Sequence, residues 1–176
     1  DIFGKITAVT QSGSWDGGVL SATRGFIYDD HQRLCRRNDP ESGGTVWGHN
    51  AASEIIWEAK GQSGSGCLTS APSGATLFAY DLRGRKVLDD YPGTGEDVSY
   101  AYDAAGNLIS VSNATATWSY TYNKRNLLET EQAVLDGKTF MLDPNYNDLG
   151  HITSLTTPGQ TIAYVPDAWG RPTQFG

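Results

Sequence analysis

The feature that most constrains this chain is a turn that keeps returning. Tyr102-Asp103-Ala104-Ala105-Gly106-Asn107-Leu108 reads as the end of a strand, a tight turn and the start of the next strand. Tyr100, Tyr102, Leu108 and Val111 supply β-forming residues on both sides. The Asp103 carboxylate is placed to accept hydrogen bonds from backbone N–H groups a few residues on, and Gly106 to take the positive φ that ends such a turn. One such stretch is an ordinary hairpin signal. Its weight comes from recurrence.

A second full copy starts at Tyr80-Asp81 and keeps Gly84 and Val87. Tyr28-Asp29 leads a copy with Gln32 in the glycine position. Tyr122-Asn123 leads one with Asn126 there, and Asn both caps turns and tolerates positive φ. Tyr146-Asn147 keeps Gly150, and Asp167 keeps Gly170 but follows Tyr164-Val165-Pro166. Asp1-Ile2-Phe3-Gly4 is the back half of a copy, and His49-Asn50-Ala51-Ala52-Ser53 is a degenerate eighth. The Asp/Asn positions 1, 29, 50, 81, 103, 123, 147 and 167 lie 20 to 31 residues apart. Their mean spacing of about 24 is too short for a four-stranded propeller blade and suits one two-stranded unit per repeat.

The set of turns resembles the Rhs/YD-repeat family, named for its Tyr-Asp dipeptide, over nearly the whole chain. Relatives include bacterial Rhs toxins, shell-forming components of insecticidal toxin complexes, and teneurins. The resemblance implies an all-β fold: an antiparallel meander of YD hairpins, a long twisted sheet coiling as part of a hollow β-shell. It implies structural turn roles for Tyr28, Asp29, Tyr80, Asp81, Gly84, Tyr102, Asp103, Gly106, Tyr122, Asn123, Tyr146, Asn147, Gly150, Asp167 and Gly170. A self-cleaving aspartate segment, where the family has one, follows the repeats. Nothing here matches it, so no catalytic residue is assigned and the chain is not expected to be an enzyme.

Strand-by-strand reading gives about 14–16 strands over residues 1–176, treated as one array of about eight repeats. Lys5 to Val9 reads as a strand and Ser12–Gly18 as a loop, with Arg24–Tyr28 entering the next turn. Residues 60–75 form a Gly/Ser-rich insertion with Gly61, Gly64, Gly66, Pro72 and Gly74. Variable turns at 92–95, 113–116, 136–137 and 158–159 mark the far edge. Asp1 lacks its Tyr, and Gly176 follows a strand start, which suggests a fragment of a longer shell. Cys35 and Cys67 are the only cysteines. A disulfide between them would tie the insertion down and suit an extracellular setting, with two unrelated thiols as the alternative.

The net charge of −7 argues against nucleic acid, which wants a basic face, and Arg33, Arg36 and Arg37 read as solvated strand residues. No apolar run reaches the 18 residues of a membrane span. His31, His49 and His151 lack zinc spacing. Asp89, Asp90, Glu96 and Asp97 flank one turn, where a solvated acidic cluster outweighs a Ca²⁺ site. No cofactor or metal is expected. The first function is therefore structural: a shell segment of a large secreted or surface bacterial protein, enclosing or presenting a toxin. Its partners would be neighbouring repeats, other copies of the chain, or an enclosed C-terminal toxin. The alternatives are an extracellular carbohydrate- or protein-binding module, with a glycan stacking on exposed Trp, or a self-assembling filament.

Overall fold

Frequent turn residues leave room only for short strands, and each strand is thrown back on its predecessor. The computed structural model of the chain describes residues 1–93 and 95–175. Thr94, in the expected turn at 92–95, and Gly176 lie outside the described residues, as do the side chains of Trp15, Gln174 and Phe175.

The chain forms two compact units, Asp1–Thr94 and Gly95–Gly176. The first holds β1 (Ala8–Trp15), β2 (Gly18–Tyr28), β3 (Leu34–Asp39), β4 (Gly43–His49), β5 (Ile55–Gln62), β6 (Thr76–Tyr80) and β7 (Lys86–Asp90). Each pairs antiparallel with the next. The second holds β8 (Val98–Tyr102), β9 (Leu108–Ser112), β10 (Ala116–Tyr122), β11 (Leu128–Leu135), β12 (Lys138–Tyr146), β13 (Ile152–Thr157), β14 (Gln160–Pro166) and β15 (Pro172–Phe175). These also pair in strict succession. The described residues contain fifteen strands and no helix. The fold is all-β and antiparallel, as the repeat pattern implies.

Four segments differ from the sequence reading, the first being Lys5–Val9, where β1 starts only at Ala8. Ser12–Gly18 is not a loop: β1 continues to Trp15, Asp16-Gly17 makes a two-residue turn, and β2 starts at Gly18. Asp-Gly is a strong signal for such a hairpin. The insertion begins at 63 rather than 60, because β5 runs to Gln62. β12 is longer than the expected Thr139–Leu142 and passes through Pro144.

The core of the first unit is small: Val46, Trp57, Ala59 and Ala75, with Ile56 packed against it. Gly48 makes it possible. A Cβ there would fall on the Trp57 indole, 2.5 Å from Cζ2 and closer still to Cε2 and Nε1. In the second unit only Ala116 and Pro144 are buried among the described residues. Its strands are joined instead by ladder hydrogen bonds and cross-strand polar pairs, Thr121–Thr130 at 2.8 Å, Asn145–Ser154 at 3.0 Å and Thr156–Thr161 at 3.1 Å. Alternation still decides the facing within a strand: Val98, Tyr100 and Tyr102 of β8 are half-buried, Ser99 and Ala101 exposed.

Candidate functional site: the repeat turns and the pinned loop

All eight repeat turns share one geometry. The N–H of the residue three after the Asp or Asn donates to that residue's carbonyl at 2.9–3.2 Å. From Asp29 onward the Asp/Asn N–H donates to the carbonyl four residues on, at 2.9–3.0 Å. The side-chain Oδ1 accepts from the N–H four residues on, at 2.8–3.1 Å, in every copy. One residue then has to be left-handed, and it is: Gly84 (φ 75°), Gly106 (99°), Gly150 (84°) and Gly170 (80°), but also Gln32 (62°), Ser53 (66°) and Asn126 (57°). The departures from glycine therefore change the strain and not the turn. Each turn from Tyr28 onward also carries a β-bulge where it joins the strands, for example between Ile27/Tyr28 and Ala79/Tyr80.

Gln32 is the weakest of these positions. It holds positive φ without being Gly or Asn, and its side-chain Oε1 is buried with no hydrogen-bond partner. Gln32→Gly is expected to raise stability by about 1 kcal/mol. Urea denaturation followed by circular dichroism checks this. A loss of stability would show that the side chain contributes packing that outweighs the strain.

Sequence reasoning missed two links that run from turn to turn. The first is the Tyr hydroxyl. Tyr28 donates to Ile6 O at 3.0 Å, Tyr80 to Ile55 O at 2.8 Å and Tyr122 to Leu108 O at 2.9 Å. In each case the acceptor is the residue five after the preceding repeat's Asp or Asn. The second is the side chain four after the Asp or Asn, which reaches the following turn. Lys5 donates from Nζ to Gln32 O, Arg33 to Asn50 O at 2.7 Å and Asn107 to Asn126 Oδ1 at 3.1 Å. Leu127 lies against Gly150, and His151 lies where a Cβ on Gly170 would come within 2.7 Å of its Cδ2. The same position closes its own turn where it is Arg: Arg33–Asp29 and Arg85–Asp81 pair at 2.7 Å and Arg171–Asp167 at 2.8 Å. The recurrence of Arg four residues after Asp was the available signal.

These contacts set the charge state of the turn acids. At Asp29 burial pushes the pKa up but is outweighed by hydrogen bonds from Arg33 and by its charge, so the carboxyl lies below its ordinary value. Asp81 is lowered chiefly by the Arg85 side chain, and Asp103 chiefly by the Asn107 side chain. At Asp167 burial again opposes, and hydrogen bonds from Arg171 prevail. A carboxyl lowered by folding stabilises the fold above its unfolded pKa of about 3.9, and this is lost as pH falls through the folded value. Stability is therefore expected to fall below about pH 4. The Asn123 and Asn147 turns, whose capping side chains carry no charge, should outlast the Asp turns. Amide chemical shifts of Arg33, Arg85, Asn107 and Arg171 against those of Leu127 and His151 test this. Simultaneous loss at all six would mean that acid acts elsewhere.

The insertion is held from β3 at two adjacent residues. Cys35 and Cys67 form a disulfide with Cα atoms 5.3 Å apart. Arg36, only 1% exposed, donates to Gly66 O at 2.8 Å, Ser63 O at 2.8 Å, Gln62 O at 3.1 Å and Asn38 Oδ1 at 3.1 Å. Cys35 is the extra residue of a bulge, since Ile27 faces Arg36 and Tyr28 faces Leu34. A bulge re-aims side chains, and here both neighbours reach one loop. Arg36 is thus not the solvated residue expected from sequence. Nor is Arg33, which spans two turns, whereas Arg37 stays partly solvated while it pairs with Asp39 at 2.7 Å and lies over Trp47. Asp89 is likewise buried, 3% exposed, and paired with Lys86 at 2.8 Å, rather than part of a solvated acidic cluster.

Beside the disulfide lies a pocket of about 250 Å³ whose lining includes Arg33, Trp47, His49, Trp57, Leu68 and Thr69. Burial, with help from the Arg33 charge, holds the His49 pKa below its ordinary value. Among the described residues no group of three or more His, Cys, Asp and Glu is arranged to hold a metal, and no helix is long and apolar enough to cross a membrane. Trp57 is buried, Trp47 and Trp118 are half-buried, and Trp169 is 78% exposed at the rim of a hollow shared with His151 and Tyr164.

The fold and turns define a repeat protein in which each repeat is one hairpin, closed by an Asx-capped turn and, within each compact unit, linked to its neighbour. Residues 102–139 match the family model described as RHS Repeat. The Rhs/YD resemblance thus rests on that segment and on a fold shared along nearly the whole chain. No curated protein matches. Among solved structures, a TcdB2-TccC3-Cdc42 crystal structure superposes with a TM-score of 0.52 at 14% identity, over 96% of this chain and 12% of that one. TcdB2-TccC3 without its hypervariable C-terminal region gives 0.52 at 15% identity over 100% and 12%. The Photorhabdus luminescens Tc holotoxin pore, carrying a TccC3 mutation, gives 0.50 at 14% identity over 95% and 11%. This chain spans about an eighth of the length of those chains, and the likeness is one of fold.

Proposed function

We propose that this chain is a non-catalytic wall segment of an Rhs/YD-repeat shell, part of a larger secreted or surface bacterial protein that encloses or presents a toxin. The observation that carries this reading is the uniformity of the eight turns, which are linked to their neighbours within each of the two units. Steric enclosure needs a sheet of regular pitch, and turns that fasten to their neighbours supply one. The fold shared with chains of a Tc holotoxin supports the same reading. Strands twist, so a long meander of this kind curls, and curling around a cavity gives a shell. Electron microscopy of the longest native form of the protein tests the proposal. A hollow capsule is expected. A filament would replace enclosure with edge-to-edge scaffolding.

A second reading, glycan binding, is favoured by one observation, the exposed Trp169 ring with Arg171 stacked 5.0 Å from its centroid. Glycan-array binding that disappears in Trp169→Ala would support it, and an array without signal would remove it.

A further inference from the structure

The long loop at 63–75 is fastened by two means of different chemistry, and only one of them survives a reductant. We propose that the Cys35–Cys67 disulfide is a redox latch. A thiol reductant frees the loop and opens the aromatic pocket beneath it, while the repeat turns stay formed.

The two sulfurs are unequal. Cys35 is 2% exposed, whereas Cys67 lies on an exposed stretch of the loop. An external thiolate therefore reaches Cys67 Sγ. A bond forms between the reductant's sulfur and Cys67, the Cys35–Cys67 bond breaks, and the electron pair leaves on Cys35, which takes a proton from water. A second thiolate attacks the reductant's sulfur in the mixed disulfide and releases Cys67 as a thiolate, which also takes a proton from water. The sum is two protein thiols and one oxidised reductant, a two-electron exchange. Cys35 keeps a seat, because Ile27 O lies 3.3 Å from its sulfur and accepts the new S–H. Cys67 has no such seat among its described contacts, and the Gly and Ser residues around it favour a free chain.

What then holds the loop is Arg36. Its acceptors on the loop are the carbonyls of Ser63 and Gly66, and all four of its acceptors are neutral. Water replaces neutral carbonyls around a guanidinium more readily than it replaces a carboxylate. Once Cys67 is released, hydration of Arg36 competes with the loop. Leu68 and Thr69 form one wall of the 250 Å³ pocket, and Trp47, His49 and Trp57 belong to the strands behind it. Loop departure uncovers those rings. The repeat turns share no bond with the disulfide, so they keep their geometry.

Hydrogen exchange of the full chain, oxidised and after dithiothreitol, tests this. Amides of 63–75 are expected to exchange about tenfold faster or more after reduction, with red-shifted Trp fluorescence, while the amides after Asp81 and Asp103 stay protected. Brief alkylation should label Cys67 before Cys35. Cys67→Ser should reproduce the open loop without reductant. The latch is overturned if loop exchange is unchanged, if protection is lost across the whole first unit, or if Cys35 is labelled first.

Discussion

Gly48→Ala is expected to destabilise the first unit by about 3 kcal/mol, the upper part of the range for an overpacked core. Gly48 pairs with Trp57 across β4 and β5, and the indole lies over the space where a Cβ would be. Trp57 is 5% exposed and is the largest member of the core, so the ring has nowhere to retreat without dismantling Val46 and Ala59. The β4 backbone is equally fixed, by β3 on one side and β5 on the other. Urea unfolding followed by Trp fluorescence measures the loss, with the disulfide kept oxidised. A companion Trp57→Leu change should be costly alone, yet should cost less when combined with Gly48→Ala, because the smaller side chain leaves room for the added methyl. Additive losses would mean that the two positions do not share the space.

The contrast between units explains how much of this molecule was legible in its sequence. Turns were legible because each depends on local chemistry: an Asp or Asn, a left-handed residue three positions later, and a following apolar residue. Even Gln32 and Ser53 could be placed, since the register of their neighbours fixes what they must do. The β1–β2 hairpin was not legible, because most of its residues from Ala8 to Ala22 are exposed. No alternation is demanded of such a hairpin, and Ser12-Gly13-Ser14 imitates a loop. The links between turns were hidden for another reason. A side chain that reaches the next repeat is selected by a contact some twenty residues away, and Lys5, Arg33, Asn107, Leu127 and His151 satisfy it with five different chemistries. Arg36 was the largest error. Composition marks an arginine between two turns as solvated, and nothing local announces that Gly44 across the ladder lacks a side chain to make room for it. A Cβ on Gly44 would lie 2.5 Å from Gln62 O and closer to Arg36 Nη1.

Arg36→Ala should therefore do more than release a loop. The guanidinium fills a space bounded by Asn38, Gly44 and the carbonyls of Gln62, Ser63 and Gly66. Its removal leaves a cavity lined by acceptors, and buried acceptors without donors cost about 1–3 kcal/mol each unless water enters. With water entering from the loop side to satisfy part of them, a net loss of about 3 kcal/mol is expected. Arg36→Lys keeps the charge but has one nitrogen to offer where three were used, so it should recover only part of the loss. Arg36→Met keeps the length without donors and should resemble Ala in hydrogen exchange of 63–75, even though it fills more of the cavity. That ordering, Lys above Met and Ala in loop protection, separates donation to carbonyls from packing. If Met protects the loop as well as Arg does, the carbonyl contacts are incidental and the disulfide alone holds the insertion.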